Sequence, residues 1–203
     1  MSHLITNDNF VDTIDQVEKI DGLCIFIDIV DSTRMKLVGA EVWIKEICKT
    51  FSAIQLRMEP VQPLKTIGDE LMYFIPESEI RELGLSTLSI FESLCDQLTL
   101  DRFEEVRSVR IGAAWCSGVY PITFRVGVSD YYGLDIDLCA RLCNLAAERE
   151  LIINEALQMK LTEDFRKLPD GQNFHYFLKL RGPWPMRIKG IEHYVNIFKI
   201  PCD

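Results

Sequence analysis

The stretch DGLCIFIDIVDST, residues 21–33, constrains the fold more than any other. Residues 22–30 form an apolar run of the length of a buried core strand, yet they carry a carboxylate, Asp28. The run ends at once in Asp31, Ser32 and Thr33, residues that favour the start of a helix. An ionised carboxylate inside a core costs several kcal/mol unless a cation or hydrogen-bond donors meet it. Asp28 therefore requires a partner.

Beyond this strand Leu37, Ala40, Ile44, Ile47, Phe51, Ile54 and Met58 recur at steps of three and four, which predicts one long amphipathic helix with Ser32 or Asp31 as its N-cap. PLKTI and ELMYFIP read as short strands joined by a tight turn at Gly68-Asp69. A second helix is expected from about Glu77 to Leu98, followed by strands in VRSVRIGAAWCSG and YPITFRVGV that meet near Gly118. After Tyr132-Gly133 a third helix carries Ile136, Cys139, Leu142, Cys143 and Ala146 on one face. ELIIN, a short helix near EALQMKL and strands around FHYFLKL and YVNIFKI complete the chain. This order predicts an α+β sandwich with helices on one face of a mainly antiparallel sheet. It also places Asp28 at a strand end and Asp69 at a hairpin tip, where adjacent strands could bring both carboxylates to one cation.

With 203 residues, 48% of them hydrophobic and 26% charged, the chain is expected to form a single domain over 1–203, with residues 1–20 as a polar N-terminal extension. No apolar stretch approaches the roughly 18 to 20 residues of a membrane span, and the N-terminus lacks the pattern of a signal peptide, so a cytoplasmic protein without a membrane partner is expected. A net charge of −9 argues against nucleic acid as partner, while a small anion escorted by Mg²⁺ remains compatible. The seven cysteines are scattered over apolar segments without a CxxC pair, which reads as reduced core thiols; Cys139 and Cys143 read as packing residues.

Two convergent carboxylates, a backbone carbonyl such as that of Ile29 and a helix start at Ser32 and Thr33 make a hard-cation site facing an anion site. Each has a plainer reading alone, Asp69 as a turn residue and Asp28 as a capping group. Five motifs in order, FIDIVDST, LKTIGDELMYFI, VRIGAAWCSG, SDYYGLDIDLCARLCNLA and IKGIEHYVNIFKI, resemble the class III nucleotide cyclases. These enzymes turn a nucleoside triphosphate into a 3′,5′-cyclic nucleotide and pyrophosphate. The resemblance implies the class III cyclase fold, a ferredoxin-like βαββαβ core with a mainly antiparallel sheet covered by helices. It also implies two Mg²⁺ or Mn²⁺ ions per active site, held by Asp28, Asp69 and the Ile29 carbonyl.

By the same resemblance Lys65 and Asp130 read the base, Arg141 stabilises the transition state, and Arg125 matches a position that holds triphosphate oxygens. Asp137 stands where the family usually has a ribose-orienting asparagine, and Ile191 where some members place a phosphate-binding lysine. The residues alone also allow a surface ion pair between Asp137 and Arg141, four apart on a helix, and an ordinary strand-end role for Lys65. The family's site is split across a head-to-tail dimer, which implies a homodimer here. Similarity to the stand-alone pyrimidine cyclases of Pycsar antiphage systems implies UTP, then CTP, as substrate; ATP, and a catalytically dead cyclase-homology domain, are the alternatives.

Overall fold

The computed structural model describes residues 14–124, 128–168 and 174–201, together with the backbone of 3–4. Its strands are β1 (His3–Leu4), β2 (Ile20–Ile29), β3 (Lys65–Ile67), β4 (Glu70–Pro76), β5 (Val109–Val119), β6 (Ile122–Thr123), β7 (Leu151–Asn154), β8 (Arg181–Arg187) and β9 (Tyr194–Ile200). Its helices are α1 (Ser32–Val38), α2 (Ala40–Met58), α3 (Glu77–Glu82), α4 (Thr87–Asp96), α5 (Leu134–Leu145) and α6 (Glu155–Arg166).

Seven strands form one sheet in the order β3-β4-β2-β5-β7-β9-β8, while β1 and β6 pair separately. Strands β2 to β5, with helices between β2 and β3 and between β4 and β5, make the antiparallel βαββαβ core that the resemblance implied. Among the described residues the one parallel contact in the large sheet is β5 with β7, and β9 and β8 then continue antiparallel.

Strand β2 reads as an unbroken apolar run because both of its faces are buried. Leu23, Ile25, Ile27 and Ile29 join Phe51, Ile54, Leu88 and Phe91 of α2 and α4 on one side. Cys24 and Phe26 join Ile136, Cys139 and Cys143 of α5 on the other. Helices on one face only were expected; α5 instead covers the second face. Its backbone lies so close to β5 that a Cβ on Gly112 would stand 2.3 Å from the Cys143 nitrogen and 2.6 Å from the Cys139 oxygen. Only glycine fits there.

Three further expectations are corrected. The long helix is two helices, broken at Gly39 with φ of 157°, and Leu37 and Ile44 of its periodic stripe are exposed. The second helix breaks at Leu83–Leu85, where Gly84 has φ of 67°, and restarts at Ser86, whose side chain and that of Ser89 form a reciprocal cap; a 3-10 turn, Gln97–Arg102, follows. FHYFLKL holds a 3-10 turn at Phe177–Lys179, and the strand lies one step later in RGPWPMR. Pro183 and Pro185 hide that strand from sequence patterns, and proline is tolerated because β8 is a sheet edge.

Cys24, Cys95, Cys116, Cys139 and Cys143 are buried free thiols and Cys48 is an exposed one. Cys202 lies outside the described residues. No helix among the described residues is long and apolar enough to cross a membrane.

Candidate active site

The sheet register assembles the first half of the site. Asp28, at the end of β2, stands opposite Glu70 of β4 and Arg110 of β5. The turn between β3 and β4 carries Gly68 in a left-handed conformation and then Asp69, whose carbonyl accepts a hydrogen bond from the Ile29 N–H at 3.3 Å. That bond ties the hairpin tip to the end of β2. A cavity of about 360 Å³ lies elsewhere, but here one of about 610 Å³ opens, lined by Asp28, Ile29, Ser32, Thr33, Asp69 and Arg110 among others. Five residues expected to hold metal and phosphate thus share one cavity.

The partner that Asp28 required is Arg110. Its Nε donates to Asp28 Oδ2 at 2.7 Å, and its Nη2 lies 2.6 Å from the same oxygen in an ion pair. Asp69 accepts a hydrogen bond from the Ser32 hydroxyl and has the Lys36 ammonium 3.5 Å from its Oδ1. Burial raises the pKa of Asp28, and Arg110 opposes that rise. Glu70 is pushed from 4.5 up to about 7, first by burial and then by the Asp28 charge beside it.

Because the folded-state pKa of Glu70 lies above its ordinary value, the folded chain holds this proton more tightly than the unfolded chain. The resulting stabilisation is complete below about pH 4.5 and is lost as pH rises through about 7. The groups facing Glu70 are Asp28 from β2, Arg110 from β5, Cys143 from α5 and Asp69 from the turn. Glu70→Gln is expected to flatten the decline in metal-free stability between about pH 5 and about pH 8, read by urea denaturation at both values. An unchanged slope would remove Glu70 as its source.

The second half lies on α5. Asp137 and Arg141 line the cavity of about 360 Å³ together with Gly190, Glu192 and His193, and no lining residue is shared with the first cavity. Arg141 does not pair with Asp137 among the described contacts. Its Nη1 donates to the Lys189 carbonyl, and its guanidinium packs against Gly190, where a Cβ would stand 3.3 Å from Nη2. The Lys189-Gly190 turn therefore seats Arg141 through its backbone. Ile191 packs against the cluster of Leu138, Leu142 and Ile197.

Lys65 and Asp130, far apart in sequence, meet: Lys65 Nζ lies 2.7 and 2.8 Å from the two Asp130 oxygens. The Tyr131 N–H holds Asp130 Oδ1 at 2.9 Å, and the Tyr131 ring rests on Phe74 with centroids 4.3 Å apart. Arg125 lies outside the described residues. Sequence reasoning missed Arg110, Lys36 and Glu70. A signal for Arg110 existed, a charged residue inside the otherwise apolar VRIGAAW, but only the strand register reveals that it faces Asp28.

The donor set suits a hard divalent cation. Two carboxylates and the Ile29 carbonyl offer only oxygen, and Arg110 engages a single oxygen of Asp28. No cluster of three or more His, Cys, Asp or Glu side chains suited to a metal occurs among the described residues, so waters and substrate phosphates would complete the coordination shell, as Mg²⁺ prefers.

No protein-family model matches the sequence, and no curated protein matches it. Solved structures do match. The adenylyl cyclase CyaB from P. aeruginosa superposes with a TM-score of 0.65 at 16% identity, over 92% of this chain and 96% of that one. The guanylate cyclase domain of RhGC from Catenaria anguillulae, solved in complex with GTP, gives 0.68 at 14% identity over 90% and 97%. An adenylate cyclase from Trypanosoma brucei, described in its monomeric state, gives 0.64 at 17% identity over 88% of each chain. The chain has the class III fold of adenylyl and guanylyl cyclase domains.

Proposed function

We propose that the chain is a nucleotide cyclase that converts a nucleoside triphosphate to a 3′,5′-cyclic nucleotide and pyrophosphate. The observation that carries this reading is the convergence of Asp28, Ile29, Ser32, Thr33 and Asp69 on one cavity of a cyclase fold. Asp28, Asp69 and the Ile29 carbonyl hold the divalent ions, two Mg²⁺ or Mn²⁺ per site. When bound, such ions make the ribose 3′-hydroxyl more acidic and neutralise the triphosphate. Ser32 and Thr33 offer hydroxyls to phosphate oxygens, and Arg125 holds the triphosphate as well.

Arg141 meets the charge that develops on the α-phosphoryl oxygens. Asp137 accepts a hydrogen bond from the ribose. As the 3′-oxygen bonds to the α-phosphorus, its proton leaves to solvent and the bond to the β-phosphate oxygen breaks, releasing pyrophosphate.

The working unit is a homodimer with two composite sites. Two observations support it. Asp28 and Arg141 face separate cavities of the same chain. At the rim of each cavity stands a bare leucine, Leu37 with 86% and Leu134 with 88% of its surface exposed, which a second copy would cover.

For the base, Lys65 supplies a donor and Asp130 an acceptor, which fits O4 and N3 of uracil, N3 and N4 of cytosine, or N1 and N6 of adenine. A pyrimidine triphosphate, UTP before CTP, is the proposed substrate, and the product a second messenger in antiphage defence; similarity to stand-alone pyrimidine cyclases supports this. ATP is the second reading, favoured by the adenylyl cyclases of P. aeruginosa and T. brucei among the structural matches. Competition in an equimolar mixture of the four triphosphates tests the choice: cyclic UMP or cyclic CMP should dominate, and a majority of cyclic AMP would establish the second reading. In the same assay Lys65→Ala should lose roughly 1–3 kcal/mol of discrimination between bases, because Asp130 is left without its partner. Undiminished discrimination would place base reading elsewhere.

A further inference from the structure

We infer that Arg110 is a positioning residue for the metal site: it fixes the Asp28 carboxylate in the orientation that presents Oδ1 to a divalent cation. The inference rests on the reading of Asp28 as a metal ligand and adds a residue to it.

The geometry is one-sided. Two guanidinium nitrogens converge on Oδ2: Nε donates to it at 2.7 Å and Nη2 lies 2.6 Å away. Among the described contacts no second side chain reaches the carboxylate; besides Arg110, the Ile29 backbone N–H hydrogen-bonds it. A fork-to-fork pair would have occupied both oxygens and blocked a metal; this end-on pair holds one oxygen and leaves the other.

The guanidinium is itself anchored. Its Nη1 reaches the Asn144 carbonyl at the end of α5, 3.4 Å away. The β2–β5 register sets Arg110 directly across from Asp28. The Asp28 side chain is 15% exposed, so water contributes little to orienting it. Glu70 stands on the other flank, opposite Asp28 on β4, and offers the carboxylate no donor among the described contacts. Without Arg110 no side chain described on β4 or β5 would hold the carboxylate, and the Ile29 backbone N–H would remain to orient it. Hydrogen-bonded supports of metal-bound carboxylates typically matter for affinity by roughly 10–100-fold.

The opposite role is a counter-cation that merely occupies Asp28 and must be displaced by metal. The two roles differ in sign. A positioning arginine, once removed, weakens metal binding; a competing cation, once removed, strengthens it.

The experiment titrates the full chain with Mn²⁺ alone and follows free Mn²⁺ by electron paramagnetic resonance. The proteins are wild type, Arg110→Gln, Arg110→Lys and Asp28→Ala, with unfolding midpoints in EDTA to establish that each is folded. Arg110→Gln is expected to bind Mn²⁺ roughly 10–100-fold more weakly than wild type. Arg110→Lys keeps the charge but cannot span Oδ2 and the Asn144 carbonyl together, so it should fall between the two. Affinity unchanged or increased in Arg110→Gln would overturn the inference while leaving the metal site standing. Should that variant not fold, Arg110→Lys decides by the same rule: weaker than wild type supports positioning, equal or tighter overturns it. Wild-type binding that Asp28→Ala leaves intact would overturn both the inference and the metal reading beneath it.

Discussion

Asp28→Asn is expected to lower cyclic nucleotide formation by at least roughly 10²-fold while leaving the chain folded. Asparagine keeps the shape of the side chain, and its carbonyl oxygen can still accept from Arg110, whose Nε and Nη2 lie 2.7 and 2.6 Å from Asp28 Oδ2. What disappears is the charge, and with it the ability to hold a divalent cation. The structural consequences are small and opposed. A charge-assisted hydrogen bond becomes an ordinary one, a loss of about 1 kcal/mol, while Glu70 is relieved of the neighbouring charge that helps raise its pKa. Turnover measured beside urea denaturation separates the effects: lost activity with near-native stability supports the ligand role, and retained activity would remove Asp28 from the metal site.

Mixing two inactive variants is expected to restore activity. Arg141→Ala removes the guanidinium seated on the Lys189 carbonyl and should by itself cost roughly 10²-fold or more in rate. If each active site takes Asp28 from one protomer and Arg141 from the other, a hybrid of Asp28→Asn and Arg141→Ala subunits has one site with both defects and one with neither. Random exchange of equal amounts makes half the dimers hybrid, each with one intact site of two, so about a quarter of wild-type activity should return. That exceeds either variant alone by more than tenfold. No recovery after proven subunit exchange would place both residues in one site of one chain, contrary to the separate cavities they line.

Local signals carried much of the fold. Strand β2 was legible because burial on both faces demands an unbroken apolar run, and α5 because Ile136, Cys139, Leu142 and Cys143 recur at helical spacing and are all buried. The turn at Gly68-Asp69 was legible from its turn residues. What failed depended on context. Periodicity ran through Gly39 as though the chain were continuous there, yet that residue's backbone ends one helix and begins another. Prolines concealed β8, since only its position at a sheet edge makes them acceptable. Helix placement on both faces followed from the close approach of α5 to Gly112, a contact that no local pattern encodes.

The candidate site divides the same way. Asp28, Ile29, Ser32 and Thr33 are neighbours in sequence, and a hairpin tip brings Asp69 to them. Lys65 and Asp130 were placed together by family resemblance, and the structure joins them in an ion pair. Arg110 and Glu70 flank Asp28 only through strand register, which depends on pairing between distant segments. The same register answers why an apolar strand can carry Asp28: the carboxylate sits where β2 leaves the core and meets a cation from the next strand.

The central claim is cyclase chemistry, and the most direct measurement is incubation of the purified chain with each of the four nucleoside triphosphates in turn, with Mn²⁺ or Mg²⁺, followed by mass spectrometry of the products and assay of pyrophosphate. The account predicts a 3′,5′-cyclic nucleotide and pyrophosphate in equal amounts from at least one triphosphate, absent with Asp28→Asn. A folded, dimeric wild-type chain that yields no cyclic nucleotide from any of the four would contradict it and leave a catalytically dead domain on a cyclase fold.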